Sequence, residues 1–357
     1  MNDPRIEQYA QFLVERCLDI QPGWQVVIVT SPLARPLVGA AVKRIAERGA
    51  YALARMHYAE IGTLWLKHAP LELLATPAAI DDFQMTNMDA YFVINAPENT
   101  REGSDVPPER FHAFRQSRKT YIERVMNWKL TWVGCNFPTP ALAQEAGMTL
   151  EHYQDFLYGA CLLDWDVLAR EMQRLAERFD AADQVRIIGE GTDIQFSIKG
   201  RAAKIDDGRV NVPGGEFFYS PVEDSAEGFI TYSEYPASYL GHVVEGARLE
   251  FSQGRVVNAT ARTDEEFLRA TLDSDEGARY LGEFGVGCNP GIQRHMRDVL
   301  FDEKINGTIH LAVGAGFPFI GGKNVSAVHW DMVKNLRSGG KILLDGQVVQ
   351  ENGVWLI

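Results

Sequence analysis

Gly23-Trp-Gln-Val-Val-Ile-Val-Thr-Ser-Pro32 sets a run of four β-branched apolar residues, Val26 to Val29, between a glycine and a Ser-Pro turn. So short and so apolar a run is what a strand covered on both faces needs, as in a parallel sheet. A helix is predicted next, over 35–48. There Leu37, Val38, Ala41, Val42 and Ile45 recur at three- and four-residue steps, and Gly49 stands where a C-cap belongs. Working outward, residues 51–57, 91–94 and 130–133 read as further strands, the last two each after a helical stretch. Such alternation predicts an open α/β layer with right-handed crossovers. Residues 150–179 read as strongly helical, ending that layer or bridging to a second domain.

From Gln184 the pattern changes. Residues 185–198 hold two short runs split by Gly189-Glu190-Gly191, and residues 247–260 repeat the form around Ser252-Gln253-Gly254, both hairpin signals. The tail, 341–357, gives short strands about Asp345-Gly346 and Asn352-Gly353, and a helix is predicted over 264–280. The expected architecture is an N-terminal open α/β domain with terminal helices over 1–182, its boundary near 180–184. A β-rich α+β domain over 183–357 completes the chain.

The length of 357 residues suits two domains, and 46% hydrophobic with 23% charged residues is the balance of a globular protein. A net charge of -13 without a local basic patch argues against a nucleic-acid partner. Residues 1–20 are amphipathic and charged throughout, unlike a signal peptide, and no window reaches the ~20 apolar residues of a membrane helix. Cys17, Cys135, Cys161 and Cys288 form no CxxC pair. They read as reduced core thiols of a cytoplasmic protein, with a soft-metal role for Cys288 as the lesser alternative.

The chemistry concentrates in the second half. In Asn324-Val-Ser-Ala-Val-His-Trp-Asp-Met-Val333, strand geometry turns His329 and Asp331 to one face and Trp330 to the other. That pair is either half of a divalent-metal site or a hydrogen-bonded structural couple. Three more residues bear on the choice. Glu216 follows Pro213-Gly214-Gly215 and precedes Phe217-Phe218; Glu283 sits in Leu281-Gly-Glu-Phe-Gly-Val-Gly287; His310 lies within Gly307-Thr-Ile-His-Leu-Ala-Val-Gly314. Each alone reads as structural. Together they are carboxylates and imidazoles in apolar, glycine-rich settings, where an unpaired charge is costly and a metal or counter-ion is the usual remedy. Oxygen and nitrogen donors without cysteine suit zinc, cobalt, manganese or iron. Five donors suit two ions ~3.5–4 Å apart with a bridging carboxylate and a bridging water, an arrangement that performs hydrolysis.

The chain resembles the thermophilic-type metallo-aminopeptidases, typified by aminopeptidases T and S, along nearly its whole length. The likeness is sharpest at Asp206-Asp-Gly-Arg-Val-Asn-Val-Pro-Gly-Gly-Glu216, at Leu281-Gly-Glu283 with Gly287-Cys-Asn289, at Gly307-Thr-Ile-His310 and at Ser326-Ala-Val-His-Trp-Asp331. The resemblance implies that Glu216, Glu283, His310, His329 and Asp331 are ligands of a two-metal site. It implies a homodimer, with a catalytic metal domain behind an α/β domain, and peptides with free N-termini as substrates. Where that family usually carries a tyrosine thought to assist catalysis, this chain has Phe317 followed by Pro318. Phenylalanine cannot donate to an oxyanion, and the loss of one such donor typically costs ~10²–10³ in kcat.

Other readings stay open. Some relatives of that family are single-iron, ring-cleaving dioxygenases of dihydroxypyridines, which the chain resembles around Glu223-Asp-Ser-Ala-Glu-Gly228 and at the His-x-Asp pair. In those relatives a histidine replaces Glu283 and the Glu216 position is apolar. A third reading is a protein that holds metal without turnover. Glu223, Asp224 and Glu227 could supply a general base or form a solvated acidic turn; His242 and His295 read as ordinary hydrogen-bonded residues. Gly314-Ala-Gly316 lacks the third glycine of a dinucleotide loop, and neither GxSxG nor HExxH occurs.

Overall fold

The computed structural model describes residues 3–126 and 129–356. Met1 and Asn2, in the amphipathic stretch 1–20, and Ile357, at the end of the expected C-terminal strands, lie outside them. The fold is mixed α/β, as the alternation predicts, and the chain divides into two compact units.

The first unit carries a five-stranded, all-parallel sheet in the order Tyr51–Met56, Gln25–Thr30, Ala90–Asn95, Thr131–Asn136 and Asn211–Val212. The apolar run at Val26–Ile28 is buried in the middle of it, with Ile28 between Ala54 and Phe92. The helix Arg35–Glu47 packs back with Leu37, Val38, Ala41 and Ile45 buried, and Gly49 ends it at φ +74°, a conformation that glycine adopts without a Cβ penalty. All four strands expected from the sequence form; the fifth, Asn211–Val212, comes from far downstream.

The expected boundary at 180–184 is corrected. The first unit runs to Leu162 and takes in Gly208–Pro213; the second comprises Leu163–Asp207 and the chain from Gly214 onward. The single helical stretch over 150–179 is two helices, Leu150–Cys161 and Trp165–Asp180, because the Asp164 carboxylate accepts the Val167 N–H at 3.1 Å and caps a new helix. The second of these belongs with the β-rich unit, where Leu168, Met172, Ala176 and Phe179 form its buried stripe.

Two antiparallel sheets make up most of the second unit. One has eight strands and includes both expected hairpins, Gln184–Gly189 with Thr192–Ser197 and Ala247–Ser252 with Arg255–Thr260, together with the C-terminal strands. The other has five, in the order His329–Asn335, Thr308–Gly314, Leu281–Gly287, Glu216–Tyr219 and Lys204–Asp206. The helix expected over 264–280 is shorter, Glu265–Leu272. Beyond it Asp275 turns the chain, its carboxylate accepting from Gly277 N–H, Ala327 N–H and the Ser326 hydroxyl. On the core face of the five-stranded sheet, Phe284 lies 5.0 Å from Phe196, 6.1 Å from Phe179 and 6.4 Å from Tyr219, ring centre to ring centre. Among the described residues no helix is long and apolar enough to cross a membrane.

Candidate metal centre

Strand register decides which side chains meet. Leu281–Gly287 and Thr308–Gly314 are central strands, buried at every position, so their polar side chains need partners within the protein or a bound cation. Glu283 pairs with Ala312, which pairs with Asp331, and His310 pairs with Gly285. Alternation puts Glu283, His310, His329 and Asp331 on one face, with Glu216 at the start of the next strand. Phe284 and Trp330 point the other way, as the two-residue period predicts for Trp330, which stacks on Tyr239 at 5.2 Å.

Small residues on that face make the room. A Cβ on Gly285 would lie 1.9 Å from His310 Cε1, so the imidazole occupies the space a side chain there would fill. Gly215, at φ +107°, brings the chain so close to Asn289 that a Cβ would meet the Asn289 Cβ at 2.7 Å. Asn289 Nδ2 donates to Gly214 O at 2.9 Å, and Cys288 N–H donates to Gly215 O at 2.8 Å. These contacts fix where Glu216 begins its strand, and account for the Gly-Gly-Glu and Gly-Cys-Asn pairings in the sequence.

The five expected residues come together. His310 Nε2 lies 3.3 Å from Glu283 Oε1 and 3.5 Å from Glu216 Oε2; His329 Nε2 lies 3.0 Å from Glu283 Oε2 and 3.6 Å from Asp331 Oδ2. Two donor groups result, Glu216–Glu283–His310 and Glu283–His329–Asp331, each with its donor atoms within 4.8 Å of one another. Glu283 belongs to both. His310 Nδ1 donates to Glu303 O at 3.1 Å and His329 Nδ1 donates to Ala315 O at 2.9 Å, which leaves both Nε2 atoms facing the pocket.

Electrostatics reflect crowded negative charge. Burial, reinforced by Glu303 and Asp206, pushes the Glu216 carboxyl up to about 8 against the pull of Lys304 and His310. Burial likewise raises Asp331 to about 6. Burial would also raise Glu283, but hydrogen bonds from His310 and His329 outweigh it and hold the group at about 2. Both imidazoles rise to about 10 despite burial, His310 through Glu283 and Glu216, His329 through Asp331 and Glu283.

Two residues that the sequence reading missed join the set. The Glu303 carboxylate forms a third group with His310 and Asp331. Lys304 is fully buried, its Nζ 3.1 Å from Glu216 Oε1, 3.8 Å from Asp206 Oδ2 and in contact with Glu303 Oε1. The available signal was an Asp-Glu-Lys triplet between Phe301 and Ile305, charges inside an apolar run.

Other candidates fall elsewhere. Glu223 accepts from Arg201 at 2.8 Å and from Lys323 N–H at 2.6 Å, and Glu227 accepts from Gln253 N–H at 2.7 Å, so both hold loops. His242 pairs with Asp264 at 2.7 Å and His295 with Asp302 at 3.1 Å. Cys288 is buried, which pushes its thiol up, and it is in none of the donor groups. The Phe317 ring lies 5.2 Å from His329, with Phe218 and Phe319 beside it.

The chain belongs to the thermophilic metalloprotease family M29, which it matches over residues 2–355. It is 26% identical to aminopeptidase AmpS of Bacillus subtilis (strain 168), across 90% of this chain and 87% of that protein. It is 28% identical to aminopeptidase T of Thermus thermophilus, across 87% and 85%. Among solved structures, wild-type AmpT from Thermus thermophilus superimposes with a TM-score of 0.86 at 22% identity, covering 99% of both chains. The 2,5-dihydroxypyridine dioxygenase from Pseudomonas putida KT2440 superimposes with a TM-score of 0.59 at 14% identity, over 98% and 96%. These two structural likenesses show the fold.

A metalloprotease family implies divalent metal, and the residues present fit one. Glu216 Oε2 and Asp331 Oδ1 are buried without a hydrogen-bond partner, which is costly for carboxylate oxygens unless a cation completes them. The donors are oxygen and imidazole nitrogen, the set that zinc, cobalt and manganese share. Gly285→Ala is expected to push His310 aside and weaken metal binding by at least about 10-fold. Gly39→Ala, where an added Cβ meets nothing within 4 Å, is the control and should match wild type. Metal content after dialysis, with far-UV circular dichroism, checks both.

Proposed function

We propose that this chain is a metal-dependent aminopeptidase with two cation positions, one formed by Glu216, Glu283 and His310, the other by Glu283, His329 and Asp331. The observation that carries the reading is the pair of overlapping donor groups sharing Glu283, with an unpartnered carboxylate oxygen in each. Divalent cations at such positions supply Lewis acidity, polarising a scissile carbonyl and lowering the pKa of water. The chain's residues do the rest. Glu303 O and Ala315 O hold the imidazoles in the tautomer whose Nε2 is free to ligate. The sheet holds the carboxylates rigidly, and the Phe218, Phe317 and Phe319 rings keep one wall beside His329 apolar. Glu216 and Glu283, both retained and buried, favour hydrolysis over the single-iron dioxygenase reading, for which a 14% likeness carries only the fold.

The substrate class is peptides with a free N-terminus, the class that the relatives' names indicate. The cytoplasm is the proposed location, supported by four buried free thiols. A homodimer is proposed from the family resemblance, supported by an apolar surface on the first unit. There Tyr51 and Leu53 on the edge strand adjoin Ile80, 75% exposed, and Phe83, 70% exposed.

Asp331→Ala and Glu216→Ala are expected to lower metal content and cut hydrolysis of aminoacyl-p-nitroanilides by more than about 100-fold, with circular dichroism near wild type. Full metal occupancy in either variant would remove that residue from the ligand set. One iron and oxygen uptake in the wild type would replace the hydrolase reading. Phe317→Tyr is expected to raise kcat more than it lowers KM, by up to the ~10²–10³ of one oxyanion donor; a less stable variant with unchanged kcat would discard the missing-donor idea. Sedimentation at micromolar concentration should give twice the 39.9 kDa chain mass, and a lone monomer boundary rejects the dimer.

A further inference from the structure

Two lysines are fully buried in the β-rich unit, and they do different things. Lys334 Nζ donates to Glu190 O at 2.9 Å, Thr231 O at 2.8 Å and Glu234 Oε1 at 2.7 Å, none of them a candidate metal ligand. Lys304 instead meets Asp206, Glu216 and Glu303, and Glu216 is a candidate ligand. One oxygen of Glu216 is therefore committed to an ammonium while the other, Oε2, is left without a hydrogen-bond partner on the His310 side. The second donor group is built differently. Among the described residues, no lysine or arginine forms an ion pair with Asp331 or His329, whose ion-pair partners are each other and Glu283.

We infer that Lys304 makes the two cation positions unequal, weakening the Glu216–Glu283–His310 position and leaving Glu283–His329–Asp331 as the tight one. This rests on the two-cation reading proposed above. Two effects act in the same direction. An ammonium within hydrogen-bond distance of a ligand oxygen repels a dication brought to that ligand, and burial strengthens the repulsion relative to water. The ammonium also occupies Glu216 Oε1, so that this carboxylate has one oxygen to offer where a free carboxylate has two. Lys304 is thus a positioning residue: it is a permanent cation that offsets Asp206, Glu216 and Glu303 when no metal is present, and it makes the neighbouring metal exchangeable.

The test is stepwise titration of the chelator-stripped full chain with Zn²⁺ by competition calorimetry, which reads affinity and not turnover. Wild type should take two ions with dissociation constants at least ~10-fold apart. Asp331→Asn should remove the tighter step and Glu216→Gln the weaker. Lys304→Met, which keeps the side chain's length and removes its charge, should tighten the weaker step by at least ~10-fold and leave the tighter one unchanged. A Lys304→Met variant whose weaker step is unchanged or further weakened overturns the inference, as does loss of the tighter step in Glu216→Gln. If Lys304→Met does not fold, the wild type and the two ligand variants decide the matter. A wild type that takes fewer than two ions sinks the two-cation reading itself, whereas two ions of equal affinity sink only the asymmetry.

Discussion

Concentrated negative charge away from water is the constraint on which the β-rich unit depends. Glu216 and Glu283 are buried, Asp331 nearly so, and Glu303 and Asp206 border the same pocket. Carboxylates so placed must bind a cation, be fully hydrogen-bonded or take up a proton. The surroundings follow from this. Glycine and alanine at 285 and 312 clear the face on which the acids meet, carbonyls at 303 and 315 fix the imidazoles, and a buried lysine stands against one side of the group. On the reverse of the same strands, Phe284 and Trp330 anchor the face in aromatic packing. Rigidity on one side is what allows charge to be held on the other.

Much of this was readable from the chain because local rules governed it. The Val26–Val29 run, the amphipathic helix ending at Gly49 and both hairpins depend on periodicity and turn chemistry, and all appear where expected. The five expected site residues also converge, because acids and imidazoles in apolar, glycine-rich sequence have few other reasons to be there. The dioxygenase-like pattern at His329 and Asp331 was equally legible, and the difference that the resemblance implies between the two chemistries lies at glutamates 216 and 283.

What was not legible depended on a local cap that periodicity does not report, or on contacts remote in sequence. Periodicity cannot show that Asp164 caps a new helix, so residues 150–179 read as one element and the boundary fell too late. The sequence marks Lys304 only as one charge of a triplet inside an apolar run; its three acidic partners include Asp206 and Glu216, some ninety residues away and brought close only by strand pairing. The helix expected over 264–280 failed for a similar reason, since Asp275 bonds to a loop fifty residues further on.

The strand Asn211–Val212 bears on how the protein is synthesised. It is an outer strand of the parallel sheet, and Gly134 N–H donates to Val210 O beside it at 2.8 Å. The chain nevertheless leaves that unit at Leu162 and lays down a helix and a hairpin of the other before returning. A ribosome delivers residues in order, so strand Thr131–Asn136 emerges with one edge open and keeps it open until the segment ending at Pro213 has been made. An open edge is a template for pairing with other chains. A gene fragment stopped at the apparent joint near Leu162 would carry that edge permanently, so the first unit can be expressed whole only by a design that also supplies the six residues Gly208–Pro213.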